Sequence, residues 1–124
     1  MAKNYLIRLY IDEGSFQAAV KLINELLPRA KAYWNKDPVN YYSMLMEKAR
    51  LQQQLGLLGE AENTFLQTLT GLKKEVGEAA LLTIIAGSNL GQLYEQMGLF
   101  DEAEPLLKTA LDQFVRIQGV TSPD

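Results

Sequence analysis

The chain contains 124 residues, of which 48% are hydrophobic, so one compact domain with a hydrophobic core is expected. A formal net charge of −3 argues against a nucleic-acid-binding protein, which usually carries a basic surface. Cysteine and histidine are both absent, which excludes disulfides and removes the commonest metal ligands and general base, so we expect no metal, no cofactor and no enzymatic activity.

In chain order, the predicted elements are all helices, because apolar residues recur at helical spacing and no strand pattern competes. The first helix is predicted to have one apolar stripe of Leu6, Leu9 and Tyr10, and it is expected to be shortened at its N-terminal end. The six predicted helices span residues 2–12, 16–34, 38–55, 59–76, 79–97 and 101–118.

The connection between the second and third helices contains a predicted break and a predicted cap. Pro28 lies inside the second helix, where its ring removes a backbone hydrogen bond, so a bend or break is expected. Asn35 is the expected left-handed end of that helix, and Asp37 and Pro38 are the expected N-cap and first residue of the next. Four aromatic residues cluster here, and packing explains them better than a binding hot spot: Tyr33, Trp34, Tyr41 and Tyr42.

The second pair of helices differs from the third in its apolar pattern. Lys48 and Gln52 stand where the third pair has Leu90 and Tyr94, so we expect the third helix to be loosely packed or bent toward solvent.

Pro105 is expected in the first turn of the sixth helix, where its missing N–H is tolerated. The sixth helix has a continuous apolar stripe of Ala103, Leu106, Leu107, Ala110, Leu111 and Phe114.

Identical residues recur every 42 positions along the chain. The sets are Gly14, Gly56 and Gly98; Leu9, Leu51 and Leu93; Ala19, Ala61 and Ala103; and Leu27, Leu69 and Leu111. Glycine enters the left-handed backbone conformation freely, so the three glycines are expected to end one helix and reverse the chain into the next. A fixed period of about 20–50 residues predicts stacked helical hairpins, each too small to bury its own apolar face.

Hairpins of this pattern resemble tetratricopeptide repeats, and the third unit matches best through Asn89-Leu90-x-x-Leu93-Tyr94-x-x-x-Gly98-x-Phe100-x-Glu102-Ala103-Glu104-Pro105. The period of 42 residues exceeds the usual length of about 34 and is similar to the repeats of kinesin light chains. The resemblance implies an all-α fold, a right-handed superhelix (α-solenoid) of three antiparallel helix-turn-helix hairpins. It also implies a single domain over residues 1–124, with repeats of about 1–41, 42–83 and 84–124.

Repeats of this family stack with their first helices lining a concave face that binds a peptide or helix, so the resemblance places the candidate site there. The residues opposite the apolar stripes are Asn4, Arg8, Asp12, Ser43, Met46, Arg50, Gln53, Gln54, Ser88, Asn89, Gln92, Glu95 and Gln96. Arg8 and Arg50 stand 42 residues apart and are expected to be stacked neighbours that suit acidic side chains of a partner. The predicted partner contacts are Arg8, Arg50, Gln54, Asn89 and Gln92.

The implied function is a protein-interaction scaffold, and the alternative is a regulatory sensor domain in which peptide binding controls an attached effector. A chaperone-tail receptor is not indicated, because Tyr5 and Glu47 occupy the positions equivalent to Asn89. An ordinary solvated helix surface is the alternative for the groove itself. Glu60 and Glu62 lie two apart and face different directions, so the helix dipole explains them better than an acid–base dyad.

No segment is predicted to cross a membrane, since the most apolar stretch, residues 79–87, is far shorter than the roughly 20 residues that a bilayer requires. No signal peptide is recognised at the N-terminus, and the lack of cysteine fits a reducing compartment, so a cytoplasmic location is expected.

The final helix carries more apolar side chains than one neighbouring helix can cover. They are Leu107, Leu111, Phe114, Val115 and Ile117. We therefore expect either a fragment of a longer array or self-association through the C-terminal helix.

Overall fold

A computed structural model describes residues 2–32 and 37–118, with side chains from residue 6 onward in the first range. Within these ranges all regular structure is helical, and the six predicted helices are confirmed. Their ends lie within two residues of those expected, except that the expected end of the second helix, residue 34, lies outside the described residues. The helices are α1 (Ala2–Asp12), α2 (Phe16–Ala32), α3 (Pro38–Gln54), α4 (Leu58–Glu75), α5 (Leu81–Gln96) and α6 (Phe100–Gln118).

The three repeated glycines close the turns within the helix pairs. Gly14, Gly56 and Gly98 have φ angles of 80°, 80° and 78°, in the left-handed region that a side chain would strain. The N–H groups of Ser15, Leu57 and Leu99 donate to the carbonyls of Tyr10, Gln52 and Tyr94 over 2.8, 2.9 and 2.8 Å. This is the Schellman arrangement, which satisfies the last carbonyls of a helix while reversing the chain. The predicted glycine turns are confirmed.

The start of α3 follows the sequence prediction. The Asp37 side chain accepts a hydrogen bond of 3.1 Å from the N–H of Asn40, and Pro38 is the first helical residue. The cap therefore satisfies one of the N–H groups that a helix start leaves without a partner. The predictions for Tyr33, Trp34 and Asn35 lie outside the described residues, as does the segment 119–124.

Two predictions for the helix prolines are wrong, namely a break at Pro28 and a first-turn position for Pro105. The α2 helix continues through Pro28 without a break, because both Pro28 and Asn24, whose carbonyl loses its donor, are exposed to water. In α6 the hydrogen-bond ladder already begins where the N–H of Ala103 donates to the carbonyl of Leu99 over 3.0 Å. Pro105 therefore lies beyond the first turn, and it removes one ladder bond, to the carbonyl of the exposed Asp101.

The chain divides into two compact units, residues 1–64 and 65–124, with the boundary inside α4. In the first unit α2 packs against both α1 and α3. A core cluster joins these helices and contains Ile7, Ala19, Ile23, Leu26 and Leu51. Both Ala19 and Ile23 are fully buried, so the recurring alanine lies at a close helix crossing, as its spacing predicts.

The second unit is built around the α5–α6 hairpin. Leu90 and Leu93 of α5 are buried with Ala103 and Ala110 of α6. A Cβ atom added at Gly91 would lie 2.8 Å from the side chain of Leu107, so the glycine allows the two helices to approach closely.

The expected loose packing of α3 is wrong at Gln52, one of the two residues on which it rested. Gln52 is only 8% exposed, and its Oε1 lies 2.7 Å from the buried Thr64 hydroxyl of α4. That hydroxyl also lies within hydrogen-bond distance, 3.0 Å, of the carbonyl oxygen of Glu60. A polar side chain is therefore accommodated in the interior because its hydrogen bond is made there.

Candidate functional site

A groove in the first unit lies between α1 and α3, the first helices of the first two helix pairs. Its volume is about 150 Å³. The lining residues of this α1/α3 groove are Ile7, Arg8 and Ile11 from α1, Ile23 from α2, and Asn40, Ser43, Met44 and Glu47 from α3. The groove therefore combines an apolar part with polar groups from both helices, which is the usual composition of a binding site.

The charged residues of this region lie on both helices. Arg8 is exposed and lines the groove from α1. On α3, Nη1 of Arg50 lies 4.0 Å from Oε2 of Glu47, and the two side chains are 58% and 24% exposed. An exposed pair of this kind contributes at most about 1 kcal/mol, so the Arg50 guanidinium exchanges its partner at little cost.

The predicted contact residues are distributed over both units. In the first unit, Arg8 lines the groove, Arg50 is paired with the groove residue Glu47, and Gln54 is exposed at the last residue of α3. In the second unit, Asn89 is partly buried and Gln92 is exposed on α5. Asn89 and Gln92 lie three residues apart and therefore share one face of that helix.

One residue assigned to the concave face is misplaced. Met46 is buried at 7% exposure, because it follows Tyr42 by four residues and precedes Ala49 by three on the buried face of α3. Met44 lines the groove in its place. The spacing of Asn40, Met44 and Glu47 along one face of α3 could have indicated this groove wall from the sequence.

The apolar part of the groove was missed by the sequence analysis. Ile7 is 6% exposed and Ile11 is partly buried, and both belong to the wall with Ile23. Ile7 and Ile11 are four residues apart, so they lie on one face of α1. Both side chains pack in the core cluster and also line the groove.

Two absences are observed in the described part of the chain. Residues 2–32 and 37–118 contain no group of three acidic side chains arranged to hold a metal ion. In the same ranges no helix is both long enough and apolar enough to cross a membrane.

The fold and the groove define an α-helical repeat protein with a surface between the first helices of its hairpins. The tetratricopeptide repeat family model matches residues 40–115, more than half of the chain. The chain therefore belongs to the tetratricopeptide repeat family, whose members generally mediate protein–protein interactions.

Solved structures show the same fold. BtubC (BKLC) from P. vanneervenii is 26% identical with a TM-score of 0.84, over 94% of this chain and 46% of that one. A Podosopora anserina protein described as a kinesin light chain with nearly identical TPR-like repeats is 23% identical with a TM-score of 0.79, over 97% of this chain and 55% of that one. This chain thus spans about half the length of these relatives, and the predicted all-α solenoid class is confirmed. No curated protein matches the chain.

Proposed function

We propose that the chain is a non-catalytic interaction module that holds a peptide or helix of a partner protein along its first helices. The observation that carries the proposal is the α1/α3 groove, where the apolar side chains of Ile7, Ile11 and Met44 lie beside the exposed Arg8. An apolar floor takes one side chain of the partner, and the charged edge fixes its orientation.

The partner segment is proposed to carry acidic side chains. Arg8 and Arg50 each present a planar guanidinium that binds a carboxylate through two hydrogen bonds. Glu47 contacts the Arg50 guanidinium only through an exposed ion pair of 4.0 Å, so a carboxylate of the partner can compete with Glu47 for that guanidinium. In the first unit the Gln54 amide, and separately in the second unit the amides of Asn89 and Gln92, are proposed to donate to and accept from the backbone of a partner.

A pull-down from the native host with mass spectrometry tests this proposal. The Arg8→Glu/Arg50→Glu variant should lose the partners that the parent protein captures, and capture by the parent should weaken as salt rises, because exposed charges are screened within about 10 Å. The matched control is Arg29→Glu/Arg116→Glu, which reverses two exposed arginines outside the groove. If the parent and the Arg8/Arg50 variant captured the same partners equally well, the binding surface would lie outside this groove.

We further propose that the exposed face of α6 joins two copies of the chain. Leu111, Val115 and Ile117 are 62%, 56% and 48% exposed, which is unusual for large apolar side chains on one helix. Phe100 and Leu111 also line a groove of about 380 Å³ beside α5, which offers a place for apolar side chains of a second copy.

The three repeats, about 1–41, 42–83 and 84–124, are proposed to form one domain. The complete lack of cysteine suits a reducing compartment, so we propose that the protein works in the cytoplasm.

A further inference from the structure

The second unit contains a larger and more apolar pocket than the α1/α3 groove. It lies among α4, α5 and α6 and has a volume of about 350 Å³. Leu69, Ile84, Leu106 and Ala110 supply apolar walls of this α5 pocket, and Gly87 of α5 leaves one wall without a side chain. An apolar cavity of about 150 Å³ is enough to bind benzene, so this space admits an aromatic ring.

The pocket exists because the third repeat carries small residues where the second carries large ones. Counting back 42 positions, Gly87 corresponds to Leu45, which is 4% exposed. In the same register, Thr83 corresponds to Tyr41, which is also buried. Relative to the second repeat, the third therefore lacks an isobutyl group and a phenol ring at two interior positions of its first helix.

The glycine at this position is not required by helix packing. A Cβ atom added at Gly87 would meet only Cδ1 of Leu69, at 3.9 Å, which is an ordinary van der Waals distance. The contrast with Gly91, where an added Cβ would lie 2.8 Å from Leu107, shows which glycine of α5 serves close packing. The space at Gly87 is open, and the walls of the pocket do not close over it.

A buried polar group accompanies this space. Thr83 contributes to the pocket wall and is 3% exposed, and among the described residues its Oγ1 finds no hydrogen-bond partner. Leaving a buried hydroxyl without a partner is unfavourable, so buried hydroxyls are normally paired. Lys73 and Glu78 at the same pocket carry opposite charges, and this balance favours a neutral ligand.

We propose that the α5 pocket binds the side chain of a tyrosine supplied by a partner protein. The ring fills the apolar volume beside Gly87. Oγ1 of Thr83 is covered in this structure, so the Thr83 side chain turns about χ1 when the tyrosine enters and then exchanges a hydrogen bond with the phenol hydroxyl. A phenol is neutral near pH 7 and both donates and accepts, so it matches the hydroxyl and the balanced charges together. This site belongs to the second unit and does not depend on the proposed role of the α1/α3 groove.

The test is a titration of the protein, with methyl resonances of Leu69, Ile84 and Leu106 as the readout. The probes are N-acetyl-tyrosinamide, N-acetyl-phenylalaninamide and p-cresol. The tyrosine amide should shift these resonances and bind about three- to tenfold more tightly than the phenylalanine amide, the range expected for one neutral hydrogen bond. p-Cresol should compete with it.

Three variants locate the interaction. Thr83→Val keeps the side-chain shape without the hydroxyl, and it should remove the preference for tyrosine over phenylalanine. Gly87→Leu restores the residue of the second repeat, and it should abolish binding of both amides; Gly87→Val serves the same purpose if the larger side chain impairs folding. Thr70→Val changes an exposed threonine of α4 and should bind like the parent.

Several outcomes would overturn the proposal. If the parent protein bound the tyrosine and phenylalanine amides equally tightly, the phenol hydroxyl would make no favourable contact with Thr83. Binding of p-cresol without the tyrosine amide would show that the pocket excludes a side chain attached to a backbone. An absence of shifts with all three probes would show that the pocket is not a binding site.

Discussion

The hydroxyl of Thr64 lies 2.7 Å from Oε1 of Gln52, and both side chains are buried at the crossing of α3 and α4. The positions 42 residues later hold Tyr94 and Leu106, so a polar pair in the second repeat replaces an aromatic–aliphatic pair in the third. Both positions of the pair are polar in one repeat and apolar in the other, so neither repeat buries one of these polar side chains without the other.

This pairing predicts a non-additive effect on stability. Thr64→Val should lower the free energy of unfolding by about 1–3 kcal/mol, because the Gln52 amide stays buried without its hydroxyl partner. The double variant Gln52→Leu/Thr64→Val should recover most of that loss, since both partners become apolar. Urea unfolding of the two single variants and the double variant measures the coupling, and additive losses would mean that the hydrogen bond contributes nothing specific.

The recurring alanine in α6 predicts a steric effect. Ala103 is 2% exposed where α6 crosses its neighbour, so Ala103→Leu should overpack the site and destabilise the protein by roughly 1–3 kcal/mol. Asp112→Leu is the control, because Asp112 is exposed on the same helix. Equal melting temperatures for the two variants would contradict the close crossing.

The two glycines inside α5 should respond to alanine in opposite directions. Gly87→Ala should stabilise the protein by about 0.5–1 kcal/mol, because alanine restricts the unfolded chain and its Cβ has room. Gly91→Ala should destabilise it, since the added Cβ would lie 2.8 Å from the Leu107 side chain and 3.3 Å from Cβ of Leu106. Thermal unfolding of the pair measures the difference, and a stabilising Gly91→Ala would show that the hairpin adjusts freely.

Self-association through α6 should be visible in sedimentation at rising protein concentration. Val115→Lys places a charge in the exposed apolar face of α6 and should shift the protein to the monomer at concentrations where the parent associates. Gln67→Lys adds the same charge at an exposed position of α4 and should leave the parent behaviour unchanged. A parent protein that stays monomeric at high concentration contradicts the proposed contact.

The helices and their turns could be predicted because their causes are local. The 42-residue spacing of Gly14, Gly56 and Gly98 located three turns, and Asp37 with Pro38 located a helix start. These features depend on backbone conformations and caps that one or two residues determine.

The candidate site was less predictable because it depends on contacts between separate helices. Met46 was expected on the concave face and proved to be buried, since a helical pattern defines a face only to within a residue or two. The apolar wall of Ile7 and Ile11 was missed, because the apolar stripe of the first helix was assigned to Leu6, Leu9 and Tyr10, and Gln52 was interpreted as a sign of loose packing. In each case the partner lies on another helix and is not visible in a local window.

The polar pair at Gln52 also affects how a repetitive chain finds its native pairing. Because the helices of different repeats are similar, a helix can pair with the wrong neighbour. For example, α3 would pair with α6 instead of α4, either during folding or between two copies of the chain. In such a pairing the Gln52 amide would face Leu106 rather than a hydroxyl, and a buried amide without a partner costs about 1–3 kcal/mol. The hydrogen bond therefore favours pairing of α3 with α4 and disfavours pairing of α3 with α6.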